Sequence, residues 1–343
     1  MWEDCEDVIK EAWNRVGVEE AGLGSIKEKI KFCGDELLAW GLAKTNPNAE
    51  EIKSLQKRIE ELIAKDVTLE NRAEFLGVRK QLDELLLKQE IYWAQRSRIP
   101  WLKYGDKNIK FFHSKSSQWW RRNHIQGIKN VQNQWMDDME DIAKVASNYF
   151  EDLFSAGPCD QMDECLKAIP CKVTPDMQNI LSSEFNEEEI RIALFQMGPT
   201  KAPRPDGMNA LFYKKFWNIV GDNVITAVLD FLNSGSMVPS INHTNIVLIP
   251  KVKNPEKMTD FRPISLCNVI YKIISKVLAN RLKQVLPHII SPTQSAFVLG
   301  RLIIDNVLVA YETLHAMHNR RKGKKGSLAL KLDVSKTSRR VDK

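Results

Sequence analysis

No apolar run in these 343 residues approaches the ~18 consecutive positions that a bilayer-spanning helix needs; the uninterrupted stretches are short pieces such as Ile246–Ile249. The sequence also lacks the basic-then-apolar start of an export signal, opening instead with the acidic run WEDCED after Met1. Six cysteines are too few for a disulfide scaffold and are read as reduced thiols, so a nuclear or cytoplasmic setting is expected. Cys159, Cys165 and Cys171 recur at steps of six, which is not the close pairing of a structural zinc site. His315 and His318 have no second ligand cluster to join and read as polar surface. No repeat of solenoid period is evident.

What is present is a globular composition, 43% hydrophobic and 27% charged, over a length that suggests about two domains. The net charge of +6 is unevenly spread. From His318 to Lys343 ten Lys/Arg face two Asp, and from Arg96 to His124 eight Lys/Arg face only Asp106. The second block interleaves its cations with Trp101, Tyr104, Phe111, Phe112, Trp119 and Trp120. Cations beside flat rings suit a phosphate backbone with stackable bases. The same pattern suits a solvated helix face whose aromatics enter the core, and the residues alone leave both readings open.

Apolar residues at steps of three and four place Ile26, Ile30, Cys33, Leu37 and Trp40 on one helix stripe, and Ile52, Leu55, Ile59 and Leu62 on another. After a break near Asp66–Thr68 the pattern resumes with Phe75, Val78, Leu82, Leu85 and Tyr92, which predicts an antiparallel helical hairpin. Helix is expected over 23–98, ending before Pro100. Beyond it the reading is a strand over His124–Val131, then a turn and helix over Trp135–Phe154. Asn186 and Glu189 form a capping-box start. Two helical stretches over 210–232, a strand over 244–251, helices over 269–287 and 303–319, and a strand over Ser327–Asp333 follow. The fold class is therefore α+β: a helical arm over 1–98, a basic-aromatic linker region with strand and helix over 99–170, and a mixed half over 171–343.

In that last part Lys201-Ala-Pro-x-Pro-Asp-Gly207, Ile249-Pro-Lys251, Phe261-Arg-Pro-Ile-Ser-Leu266, Gln294-Ser-Ala-Phe297 with Gly300-Arg301, and Leu330-Lys-Leu-Asp-Val-Ser-Lys336 occur in order. Together they resemble the fingers and early palm of a LINE-type (non-LTR) retrotransposon reverse transcriptase of the plant kind. The segment from Trp101 to His113 is similar to that family's connector between endonuclease and polymerase. The resemblance covers roughly residues 90–336 and implies an incomplete right-hand polymerase with fingers and a first palm strand.

It implies RNA or DNA and a deoxynucleoside triphosphate as partners, and Mg²⁺ as cofactor. Asp333 would be the first metal carboxylate and catalytic residue, with the Val334 carbonyl beside it. Lys251 and Arg262 would clamp the triphosphate, and Gln294, Phe297 and Arg301 would lie along the template. The family's further carboxylates, in an aromatic-x-Asp-Asp hairpin, come later, whereas this sequence ends ten residues after Asp333. Trp135-Met-Asp-Asp138 precedes Asp333 and reads as a helix start. Ser338 stands in place of an aromatic, Arg339 of an Asp, Arg204 of a Gly and Leu299 of a Pro. The expectation is a truncated, element-derived chain that is inactive alone. Its alternatives are a non-enzymatic RNA or single-stranded-DNA-binding protein and a coiled-coil interaction protein.

Overall fold

The computed structural model describes residues 4–17, 22–44, 49–64, 68–97, 109–155, 162–167, 170–199, 201, 206–235, 239–295, 298–320 and 328–330. Its contacts divide into two compact units, Asp35–Val145 with Ile246–Ile264, and Met1–Gly34 with Ala146–Asn245 and Ser265–Lys343. The chain begins with α1 (Cys5–Arg15) and α2 (Leu23–Lys44), and a unit boundary falls inside α2.

The first of these units holds the predicted hairpin, α3 (Ala49–Ile63) and α4 (Leu69–Ser97). Arg58 reaches Glu74 at 3.0 Å from Nε and 2.5 Å from Nη2, and the two residues sit equally far from the break, as an antiparallel pair must. Ile52 and Leu62 are buried, and Phe75, Val78, Leu82 and Leu85 line a half-buried seam along α4. Helix α5 (Ile109–Asn123) packs on α4.

The strand expected over His124–Val131 shrinks to β1 (Ile128–Lys129), paired antiparallel with β2 (Trp135–Met136) in the register Lys129↔Trp135. Turn chemistry ends it early. Asn130 Oδ1 accepts from Gln134 N at 2.9 Å and Asn133 adopts φ +63°, a conformation asparagine tolerates. Trp135, expected in a turn, is a strand residue whose indole covers Gly127 so closely that a Cβ there would overlap the ring. Helix α6 (Met139–Phe154) follows, with Asp138 Oδ2 accepting from Glu140 N at 2.9 Å. The Trp135-Met-Asp-Asp138 run is thus a strand end and a helix cap; the cap follows the sequence reading and the strand does not.

The second unit adds α7 (Met162–Lys167), α8 (Pro175–Ser182), α9 (Glu187–Phe195), α10 (Ala210–Lys215), α11 (Trp217–Ser234) and α12 (Pro239–Asn242). Strands β3 (Asn245–Pro250) and β4 (Phe261–Leu266), most of whose residues belong to the first unit, come next in the chain, and α13 (Val269–Ile289) and α14 (Ile303–Asn319) return to the second. Local chemistry explains several ends. Thr174 and Asn209 cap α8 and α10 through their side chains, and Gly235 closes α11 at φ +71°. Helices α9, α10, α11 and α13 pack around Ile190, Leu194, Tyr213, Val220, Val228, Ile270, Ile273 and Val277. Trp13 of α1 is buried, donates from Nε1 to Asn223 Oδ1 at 2.8 Å and meets Phe212 at 6.4 Å.

Into this apolar set the sequence inserts one cation. Arg281 is 4% exposed and uses all five of its N–H groups. Nε and Nη2 bind the two Glu189 carboxylate oxygens at 2.7 and 2.8 Å, Nη2 also donates to Glu184 O at 2.7 Å, and Nη1 donates to the Leu181 and Ser183 carbonyls. The guanidinium lies 3.6 Å from the Phe185 ring centroid. Glu189 at the same time completes the capping box, accepting from Asn186 N at 3.1 Å while Asn186 Oδ1 accepts from Glu189 N at 3.0 Å.

Of the apolar strand expected over Ser327–Asp333 only Leu328–Leu330 are described, and these three form no strand; residues 327 and 331–333 lie outside the described residues. Helix α14 forms as predicted, yet none of its residues is buried, with Ile303, Ile304, Val307, Leu308 and Val309 all more than half exposed.

Arg281→Ala would leave Glu189 and three carbonyls without their partner, so a loss of about 3–5 kcal/mol is expected in urea denaturation. The Arg281 guanidinium holds the Glu189 carboxyl below its usual range. A depressed acid contributes stability above its unfolded pKa and loses it as the pH falls through the folded value. The wild-type advantage over Arg281→Ala should therefore be full at neutral pH and shrink below about pH 4. Helix α14, with no buried face, should exchange its amide hydrogens far faster than α13, which hydrogen-exchange mass spectrometry resolves.

Candidate functional site

Strands β3 and β4 pair with each other, and a connection of only ten residues, 251–260, requires that they run antiparallel. The pairing is extended by Lys251 N, which donates to Asp260 O at 2.7 Å. Within the connection Asp260 Oδ2 accepts from Glu256 N and Lys257 N, both at 3.0 Å. Those two amides hold the Asp260 carboxyl below its ordinary pKa. Outside it, Lys129 N donates to Glu256 O at 2.7 Å and the Lys129 ammonium pairs with the Glu256 carboxylate, so β1 and this connection are joined in one unit.

Along β4 only the first residue is buried, and the four that follow it are exposed. Phe261 is buried and Arg262, next along, is exposed, with no hydrogen bond or ion pair to any described residue. Lys251 donates from Nζ to Thr259 O at 2.8 Å, which leaves two of its three N–H groups for a ligand. From 251 to 262 the chain therefore presents four exposed cations, Lys251, Lys253 and Lys257 in the connection and Arg262 just inside β4, on a backbone tied by Asp260.

Gln294 and Arg301 come together in a different way. The Arg301 guanidinium donates to Ser291 O at 2.5 Å, Gln294 O at 2.8 Å and Pro287 O at 3.1 Å, clasping the turn that follows α13. Asn306 at the start of α14 donates to Thr293 O at 2.9 Å and Ser295 Oγ at 3.1 Å. Phe297, Asp333 and Val334 lie outside the described residues, as do Pro203 to Pro205 of the loop after Lys201. The end of that loop is described: Asp206 Oδ1 accepts from Met208 N at 3.0 Å and Gly207 takes φ +71°, where a side chain would be strained.

For Mg²⁺ the described residues offer no fit, because no group of three His, Cys, Asp or Glu is placed among them to hold an ion. No helix among them is long and apolar enough to cross a membrane. Sequence reasoning overlooked Asp260, Arg281 and Asn306. Arg281 had a signal: it occupies the apolar stripe of α13, four residues from Val277 and four from Val285.

Asp260→Ala removes the acceptor that orders the connection, and a local loss of about 1 kcal/mol is expected. Amide exchange at 256, 257 and 251 should quicken in that variant. In the wild type the same protection should fade as the pH falls below the usual aspartate range and the carboxylate is protonated.

Residues 249–342 match the reverse transcriptase (RNA-dependent DNA polymerase) family, a span that opens inside β3 and contains the β3–β4 connection, the Arg301 clasp and Asp333. Over 274 residues, 79% of its length, the chain is 30% identical to the transposon TX1 uncharacterized 149 kDa protein of Xenopus laevis. The alignment takes in 21% of that relative, so the chain spans about a fifth of the length of the curated protein it matches. The connection between Lys251 and Arg262 thus lies within the stretch that matches the reverse transcriptase family.

Proposed function

We propose that the chain is the connector, fingers and palm entry of an RNA-directed DNA polymerase from a non-LTR retrotransposon, with the motif wording from Lys201 to Lys336 supporting the plant kind. The observation that carries this reading is Arg262, exposed and without a described partner beside Lys251, inside the residues that match the reverse transcriptase family. A guanidinium and an ammonium on a short, braced connection suit a triphosphate: the first binds two oxygens in a fork, and the second adds charge. Burial of Phe261 and the Asp260 tie fix the direction in which Arg262 leaves the strand.

In this reading Gln294, Phe297 and Arg301 border the template, with Arg301 acting first on the turn that shapes that border. By the resemblance Asp333 would be the first carboxylate to hold Mg²⁺, with Val334 next to it in the sequence. When bound, the metal would neutralise the triphosphate and activate the primer hydroxyl. Residues 1–98 serve as the arm, 99–170 as the basic-aromatic link and 171–343 as fingers and partial palm. A second reading, a non-enzymatic binder of RNA or single-stranded DNA, is favoured by the basic-aromatic block around α5 and by the ten cations from His318 onward.

Binding of a fluorescent deoxynucleoside triphosphate in Mg²⁺ tests the first reading. Arg262→Ala should weaken binding about tenfold or more and Lys251→Ala by less, as charge-assisted bonds contribute about 1.5–3 kcal/mol. Equal affinity in Arg262→Ala would remove the clamp. On a homopolymer template and primer, these 343 residues alone should not extend, since the resemblance supplies one metal carboxylate where two-metal chemistry uses a cluster. Extension that Asp333→Asn abolishes would refute that expectation.

A further inference from the structure

The C-terminal turn of α5 differs from the rest of that helix. Phe112 is buried, Phe111 and Lys115 to Ser117 are half-buried, and then Gln118, Trp119, Trp120, Arg121 and Arg122 are all exposed. Five consecutive residues sweep more than a full helical turn, so solvent reaches the end of α5 from several sides. The bland reading of the basic-aromatic block therefore holds for Phe112 and fails for the two indoles, which are 47% and 69% exposed. A lone exposed Trp needs no explanation, but two adjacent ones on a projecting turn expose large apolar ring faces to water.

Their neighbours select the chemistry that could cover them. Trp120 is already stacked on His124 at 5.3 Å and 19°, and the Arg122 guanidinium sits 5.9 Å from the Trp119 ring. From Lys107 to Met136 there are six Lys/Arg and no Asp or Glu; among the described residues only Lys129 of these six pairs with an acid, Glu256. A protein partner with an apolar groove would have to desolvate Arg121 and Arg122. A nucleic-acid strand places phosphates against the guanidiniums and flat bases against the rings at once.

We propose that the C-terminal turn of α5 is a stacking platform for unpaired nucleotides, with bases on Trp119 and Trp120, phosphates on Arg121 and Arg122, and little base preference because every base has a π-face. The proposal rests on the nucleic-acid-binding reading and gives it a place and a mode. Duplexes are poor ligands here, since their bases are already stacked. The platform is separate from the Lys251–Arg262 cations in chemistry: it reads bases through rings, whereas the β3–β4 connection presents only charge.

Fluorescence anisotropy of the full chain with a labelled 12-nucleotide single strand, its duplex, and anionic phospholipid vesicles as competitor tests it. The single strand should bind at least tenfold more tightly than the duplex. Trp119→Ala with Trp120→Ala should weaken single-strand binding about tenfold or more with the salt slope unchanged, and the paired Phe variants should restore most of it. Arg121→Gln with Arg122→Gln should instead flatten the log–log salt slope by about 1.4, near 0.7 for each phosphate contact. Circular dichroism should be unchanged in each, because the side chains are exposed. Salt-dependent single-strand binding that ignores the indole variants would overturn the platform and leave the binding reading standing. Absence of nucleic-acid binding would remove both, and vesicle competition through the indoles would reassign the turn to a lipid surface.

Discussion

The buried ion pair between Arg281 and Glu189 is the interaction on which its unit is organised. An arginine inside an apolar helix stripe is costly to desolvate, and the structure answers by giving each of its five N–H groups an acceptor. Three of those acceptors are the Leu181, Ser183 and Glu184 carbonyls, at and just beyond the end of α8, where a helix leaves carbonyls without intrahelical partners. The other two belong to Glu189, which also caps α9. One guanidinium thus fixes the end of α8, the start of α9 and the register of α13. A leucine of similar volume could fill the space and would leave all three unfastened.

The β3–β4 connection uses the same device at the surface with a carboxylate in place of a cation. Asp260 gathers two amides of its own loop, and Lys129 ties that loop to β1 through one backbone and one ionic contact. With the backbone held by these contacts, Arg262 has no partner among the described residues, and Lys251 keeps two N–H groups beyond the one it gives to Thr259 O. Arg301 shows the opposite allocation. Its guanidinium donates to the Pro287 carbonyl in the last turn of α13 and to the Ser291 and Gln294 carbonyls beyond it, so it shapes the turn that follows that helix.

Much of the fold was legible in periodicity. The α3–α4 hairpin, α11, α13 and α14 each follow from apolar residues at steps of three and four, and the α9 start from Asn186 with Glu189. The strand after α5 was overextended because alternation from His124 to Val131 is a local signal, whereas the asparagine turn at 130–134 and the fit of Trp135 over Gly127 are set by a partner strand. Of the site, the motifs located Lys251 and Arg262. Asp260 and Arg281 escaped, since each acts on residues whose proximity is a product of folding.

By itself the sequence determined where the long periodic helices run, where the cations concentrate and which stretch resembles a reverse transcriptase, because these depend on spacing, composition and motif order along one chain. Only the tertiary structure decided which charges are spent internally and which remain for a ligand. Arg281, Arg301 and Lys129 are committed to groups 7 to 127 residues away in sequence, while Arg262, Arg121 and Arg122 point to solvent. A side chain's availability depends on what surrounds it in space, and a guanidinium that looks the same in every motif becomes a structural clasp or a binding group according to whether a carbonyl or water lies within reach.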